Sequence, residues 1–294
     1  MTRIGPAGWS YPDWEGRVYP DHKPPGFHPL AWVARWFDLV EIDASFYAAP
    51  RAEHAQRWVQ LAAAREDFRF SAKLLKEFTH APEPSDPAAW VRLAEDFRAG
   101  LEPIWKARRL WSLLAQFPAS HQATASNLRR IGKLKVLFDP WPLTVELRHR
   151  SWFEPPMLDS LRGLGVTVAH IDLPASWNHP PPWFHPFSPR GYLRLHGRNE
   201  ATWFRQGVGR DARYDYLYGP AELDELHHRA ARIAGEVDEL AVVTNNHFRG
   251  AAVANALELA SRQRAGAVAG PGEIVAAYPQ LAARVRVEGQ QQLF

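Results

Sequence analysis

The chain has 294 residues, a formal net charge of +3 and no cysteine. Apolar residues make up 46% and charged residues 23%, which are globular values and set aside disordered and low-complexity classes. Without cysteine, disulfides, thiolate metal sites, iron–sulfur clusters and a thiol nucleophile are all excluded.

Eight short apolar runs follow in chain order: Arg3–Ala7, Val40–Ser45, Phe68–Lys73, Leu110–Phe117, Leu143–Arg148, Val166–Ile171, Tyr192–His196 and Leu240–Thr244. Between most of them lies a stretch with helical spacing: His28–Phe37, Ala52–Ala64, Pro87–Gly100, Thr124–Lys135, Pro155–Leu164, Pro220–Gly235 and Gly250–Arg264. Proline after Asp86 and Gly219 marks two helix starts, and Gly100 and Gly235 mark two expected stops. Eight strand–helix alternations predict a (β/α)8 TIM barrel over residues 1–264. The turn after the first strand reads Gly8-Trp9-Ser10-Tyr11 and lacks the glycine pattern of a dinucleotide fold. Residues 265–294 form a separate extension: a flexible link, short helical pieces around Pro279 and a tail.

Three long connections follow strands: residues 8–27, the proline-rich stretch 173–190, and 197–218. In a barrel they gather over the C-terminal face, where such enzymes keep their sites. The strand ends are polar. Strand 2 offers Glu41 and Asp43, strand 3 Lys73, strand 4 Gln116, strand 5 Glu146 and Arg148. Strand 6 offers His170 and Asp172, strand 7 Arg194, His196 and then Arg198, and strand 8 Asn245, Asn246 and His247, followed by Arg249. Buried charge is costly unless paired, so the ring is either a site or an ion-pair plug.

As a site, Glu146, His170, Asp172 and His196 are the candidate acid–base groups, since histidine titrates near neutrality and a carboxylate orients it. Lys73, Arg148, Arg194, Arg198 and Arg249, with Asn246, are candidate anion contacts, because arginine grips phosphate or carboxylate in a bidentate manner. Trp9, Tyr11, Trp152 and Tyr216 are flat surfaces suited to stacking on a sugar or base. The expected ligand is therefore a phosphate-bearing small molecule or nucleic acid, and the expected protein a hydrolase-like enzyme. Glu146, His170, Asp172 and His196 are also possible ligands of a divalent metal, and one alternative is a sugar isomerase or epimerase with Glu146, Asp172 and His196 around such a metal. Another is a non-catalytic binding module. No cofactor is required by the sequence, and the ends of the ring contain no close-spaced metal motif.

The segments GWSYPDWEGRVYP, VEIDASFY, FSAKLLKEFTH, LLAQFP, VELRHRSWF, AHID, YLRLHGRN, YDYLYGPAEL and TNNHFRGAAVANALEL, in this order, resemble the YecE-like family (domain of unknown function DUF72). The resemblance spans Ile4 to about Leu259 and implies a TIM barrel of the kind found in xylose-isomerase-like and endonuclease-IV-like proteins. It implies no particular reaction. The last residues, with Gln290, Leu293 and Phe294, fit the pattern Q-x-x-L-F. This resembles the peptide by which bacterial replication and repair proteins dock on the sliding clamp, and the competing expectation is a tail folded back on the barrel. No early apolar signal core and no run of ~18 apolar residues is present, so a cytoplasmic protein is expected.

Overall fold

The structure is a computed structural model and describes residues 1–288. Its elements alternate as expected: β1 (Thr2–Pro6), α1 (Pro29–Trp36), β2 (Leu39–Ile42), α2 (Ala52–Leu61), β3 (Arg69–Lys73), α3 (Lys76–Thr79), α4 (Pro87–Lys106), β4 (Leu110–Gln116), α5 (Ala125–Phe138), β5 (Leu143–Glu146) and α6 (Pro155–Gly163). They continue with β6 (Thr167–Val168), β7 (His170–Asp172), β8 (Arg190–Leu195), α7 (Glu200–Trp203), α8 (Arg210–Arg213), α9 (Pro220–Ala234), β9 (Glu239–Thr244) and α10 (Ala251–Gln263). The C-terminal part adds β10 (Val268–Gly270), α11 (Gly272–Ala277) and β11 (Val285–Val287).

All pairings are parallel; β10 and β11 form a small sheet of their own, and the barrel strands fall into two sheets, β1-β9-β8-β7 and β2-β3-β4-β5-β6. The sheets meet at two seams. At one, Ala7 bridges Glu41 and the Gly8 amide donates to the Glu41 carbonyl at 2.8 Å. At the other, one interrupted strand serves both sheets: Thr167–Val168 pairs with Thr144–Val145, and His170–Asp172 pairs with Leu193–Leu195. The result is the (β/α)8 TIM-barrel fold, with β6 and β7 as two halves of the sixth strand. Ala7, Leu39, Trp111, Ala169, Ile171, Leu173, Tyr192, Ala241 and Val243 pack its interior. A larger apolar layer joins the strands to the surrounding helices. Side-chain caps start three of those helices: His28 accepts from the Leu30 amide, Asp86 from Ala88 and Thr124 from Asn127.

Three differences from the sequence expectations have local causes. Helix α4 runs through Gly100 to Lys106 instead of stopping there. A Cβ at Gly100 would lie 1.9 Å from the Pro50 carbonyl oxygen, so this glycine permits a close approach. Residues 173–190 contain no helix, as the prolines require, whereas the 197–218 connection folds into two short helices, α7 and α8. The segment expected as a flexible link is instead a strand: Val268–Gly270 pairs with Val285–Val287, and Ile274, Leu281 and Val285 are buried against the barrel layer. Gln290, Leu293 and Phe294 lie outside the described residues. Among the described residues, no helix is long and apolar enough to cross a membrane.

Candidate functional site

Cross-strand partners in a parallel ladder share a face, so the register decides which polar residues enter the barrel. Tyr192 and Arg194 on β8, and His196 just past its end, point inward. Arg194 is level with Ile171, whereas His170 and Asp172 are level with Leu193 and Leu195. Ile171 packs inside the barrel, and Leu193 and Leu195 pack against the helix layer. His170 and Asp172 therefore face outward and do not join Glu146 and His196. This corrects the expectation that all four form one acid–base or metal-binding group. Among the described residues, no three His, Asp or Glu side chains converge on a metal position.

The inward residues form a buried ion cluster. Arg194 donates through Nη2 to Glu41 Oε1 at 2.6 Å, through Nε to Glu41 Oε2 at 3.1 Å, and through Nη1 to Glu146 Oε2 at 2.9 Å. The Tyr192 hydroxyl donates to Glu41 Oε2 at 2.8 Å and lies 2.9 Å from Ser71 Oγ. Glu41, Glu146 and Arg194 have no exposed side-chain surface. Two carboxylates clamp this guanidinium, so Arg194 is a structural cross-brace and not the expected anion contact.

Above it, Glu146 Oε1 accepts from Arg148 Nε at 2.7 Å and faces His196 Nε2 at 3.3 Å. Burial acts to raise the Glu146 carboxyl, but Arg148, Arg194 and His196 outweigh it and hold it well below the usual range. His196 has no exposed surface, and the Asn245 amide donates to its Nδ1 at 3.0 Å. Burial is the main force holding the His196 imidazole neutral, its pKa lowered to about 3, with Glu146 opposing and Arg194 and Arg148 adding to the effect. Lys73 Nζ reaches Asp43 Oδ1 at 3.1 Å and sits 4.2 Å from the centre of the Phe46 ring. Burial would raise the Asp43 carboxyl, yet Lys73 and Arg194 bring it below its ordinary value. The three cations Lys73, Arg148 and Arg194 thus face the three carboxylates Asp43, Glu41 and Glu146.

Trp203 roofs this cluster. Its ring packs against the barrel interior, lies 5.8 Å from His196 and 5.5 Å from Tyr214, and sits 5.9 Å from the Arg148 guanidinium. Tyr11 stacks on His247 at 4.5 Å and borders the same mouth, while Arg249 is exposed at its rim. Arg148 keeps 14% of its side chain exposed and Asp43 keeps 20%, whereas Glu146 and His196 keep none.

The remaining expected contacts are structural. Arg198 is held by Asp172, Glu222 and Glu225, with the shortest contact 2.8 Å to Asp172. Tyr218 also donates to Asp172, at 2.7 Å, and His170 stacks on Phe184 at 3.9 Å with Nε2 3.0 Å from the Phe184 carbonyl oxygen. Asn246 is buried and donates to the Tyr216 carbonyl and to Asn255, tying the 197–218 connection to α10. Tyr216 donates its hydroxyl to Glu222 at 2.7 Å. Trp152 is wholly buried with Nε1 donating to the His121 carbonyl, and Trp9 packs edge-on against Trp58. Glu41 and Tyr192 are more central than the sequence indicated. The alternation of Tyr192, Arg194 and His196 along one strand carried that signal.

The fold and site define a TIM-barrel protein with an ion-paired interior and an aromatic roof at its C-terminal mouth. The family model "Protein of unknown function DUF72" matches residues 3–274, and the chain belongs to that family. It is 27% identical over 269 residues to the UPF0759 protein YunF of Bacillus subtilis strain 168, covering 88% of this chain and 93% of that protein. It is also similar to the solved DUF72 family protein of Thermotoga maritima MSB8, with 32% identity, a TM-score of 0.77, and 90% and 99% of the two chains covered. A DUF72 family protein of Enterococcus faecalis V583 gives 25% identity, a TM-score of 0.75, and 88% and 94% coverage.

Proposed function

We propose that this protein is a cytoplasmic, hydrolase-like enzyme that takes a phosphate-bearing sugar or nucleic-acid end at the C-terminal mouth of its barrel. One observation carries the proposal: Arg148 is pinned by Glu146 along one edge of its guanidinium and remains partly exposed beside the Trp203 ring. A guanidinium fixed in this way offers its remaining N–H groups to an anion without losing much rotamer freedom on binding. The neighbouring ring supplies a stacking face for a sugar or base. Arg249, exposed at the rim, adds positive charge there. Because Glu146 and His196 are sealed beneath the mouth, the base role passes in this proposal to Asp43, ionised at neutral pH and oriented by Lys73.

The sealing of Glu146 and His196 also favours a second reading, a binding module without turnover. Incubation of the protein with AMP, glucose 6-phosphate and a 5′-phosphorylated oligonucleotide separates the two. The enzyme reading predicts release or transfer visible by phosphorus NMR, lost in Asp43→Asn. Binding without any conversion supports the module, and neither binding nor conversion removes both readings.

The tail adds a second proposal: Gln290, Leu293 and Phe294 tether the protein to the sliding clamp. Support comes from the Q-x-x-L-F spacing alone. Capture of the chain by purified clamp is expected, with loss on Leu293→Ala plus Phe294→Ala. Equal capture of both chains contradicts the tether.

A further inference from the structure

We infer that His196 is held by Asn245 as the neutral Nε2–H tautomer and acts as a positioning residue that fixes the Glu146–Arg148 pair. Its importance for ligand binding rests on the proposed role of Arg148, but the inference itself concerns groups of the free protein.

Two independent contacts demand the same tautomer. On one side, Glu146 Oε2 accepts from Arg194 and Oε1 accepts from Arg148, so this carboxylate is flanked by two guanidinium groups. A bare Nε2 lone pair 3.3 Å from such an anion would be repelled, whereas the positive end of an Nε2–H bond is attracted to it. On the other side, the Asn245 amide donates to Nδ1 at 3.0 Å, which requires the lone pair there. The proton is therefore on Nε2 and the lone pair is occupied. No titrating site of this ring remains for a substrate, which explains why a histidine sits where nothing outside can reach it. The arrangement has the logic of a histidine whose tautomer and orientation are set by the hydrogen bond at its other nitrogen.

The consequence falls on Arg148. Glu146 Oε1 lies between the His196 Nε2–H, 3.3 Å away, and the Arg148 Nε–H, which donates to it at 2.7 Å. With the imidazole removed, the carboxylate is free to turn further toward Arg194, whose bond is to Oε2. Arg148 then loses its fixed edge.

The test needs no ligand. In the full chain labelled with 15N-histidine, a long-range proton–nitrogen correlation at pH 7 should show a ring with a protonated Nε2 and a bare Nδ1, and His196→Gln should delete that signal. A protonated Nδ1, or an imidazolium, overturns the inference. The positioning role is read from the Arg148 Nε–H signal, assigned through Arg148→Lys. Its exchange with water should be slow in the wild type and in His196→Gln, whose amide retains a donor. It should be at least about tenfold faster in His196→Leu. An unchanged Arg148 signal in His196→Leu overturns the positioning role, as does equal loss in Gln and Leu variants that both remain folded by circular dichroism. Failure of AMP to bind would touch only the proposed function.

Discussion

At the scale of single residues, the barrel interior is a closed account of charge. Arg194 satisfies two buried carboxylates at once, and none of the three has exposed side-chain surface. Arg194→Met removes the cation and leaves Glu41 and Glu146 buried beside each other. Breaking a buried pair in this manner costs about 3–5 kcal/mol. Urea denaturation should show that loss, and a variant with an unchanged midpoint would show that the cluster contributes nothing. The histidines give stability a pH dependence of defined sign. The pKa values of His196 and His170 are lowered to about 3, in both cases chiefly by burial. The unfolded chain takes up a proton on each near pH 6.5, while the folded chain does not until far lower pH. Their contribution is therefore fully present above about pH 6.5 and is lost as pH falls toward 3. Between about pH 6 and 4, each should steepen the decline of unfolding free energy by about 1.4 kcal/mol per pH unit. His196→Gln should flatten the slope by one such increment when unfolding is followed across that range. An identical slope in the variant would contradict the assignment.

At the scale of elements, Gly100 shows why a sequence signal can be read with the wrong sign. Glycine near the end of an apolar-periodic run is a sound stop signal, yet here it lies within α4 where the Pro50 backbone crosses. Glycine to alanine within a helix ordinarily stabilises. Gly100→Ala should instead destabilise by about 2 kcal/mol, because the added Cβ meets a carbonyl oxygen that cannot move alone. A raised melting temperature would refute that packing. The strand–helix alternation is written in apolar periodicity, so the TIM-barrel order could be read directly. The inward or outward sense of a short strand is not. Ala169, Ile171 and Leu173 alternate with His170 and Asp172, and nothing in the local pattern says which set enters the barrel. Partner register from β8 settles it, and that information is long-range. Short polar helices such as α7 and α8 carry too few periods to be recognised, and the strand Val268–Gly270 reads as a small-residue linker until Val285–Val287 pairs with it.

At the scale of the molecule, the net charge of +3 conceals near-complete pairing at the mouth. The arginines expected to gather as an anion cradle are distributed among carboxylates: Arg194 with Glu41 and Glu146, Arg198 with Asp172, Glu222 and Glu225. Arg198 is more exposed than Arg148, but its Nε, Nη1 and Nη2 all donate to carboxylates, whereas Arg148 is fixed by Glu146 alone and stays partly exposed. The chain beyond α10 belongs to the same body, since Ile274, Leu281 and Val285 are buried with the barrel layer. Truncation before Val268 should therefore lower the melting temperature by several degrees, and an unchanged melting temperature would contradict this packing. The central claim, that Arg148 is the anion contact of a phosphate-binding mouth, is tested most directly by isothermal titration with AMP. The wild-type chain should bind, and Arg148→Gln should weaken binding at least about tenfold, the loss of one charge-assisted contact worth roughly 1.5–3 kcal/mol. Equal affinity in both chains, or no heat of binding to the wild type up to millimolar AMP, would contradict it.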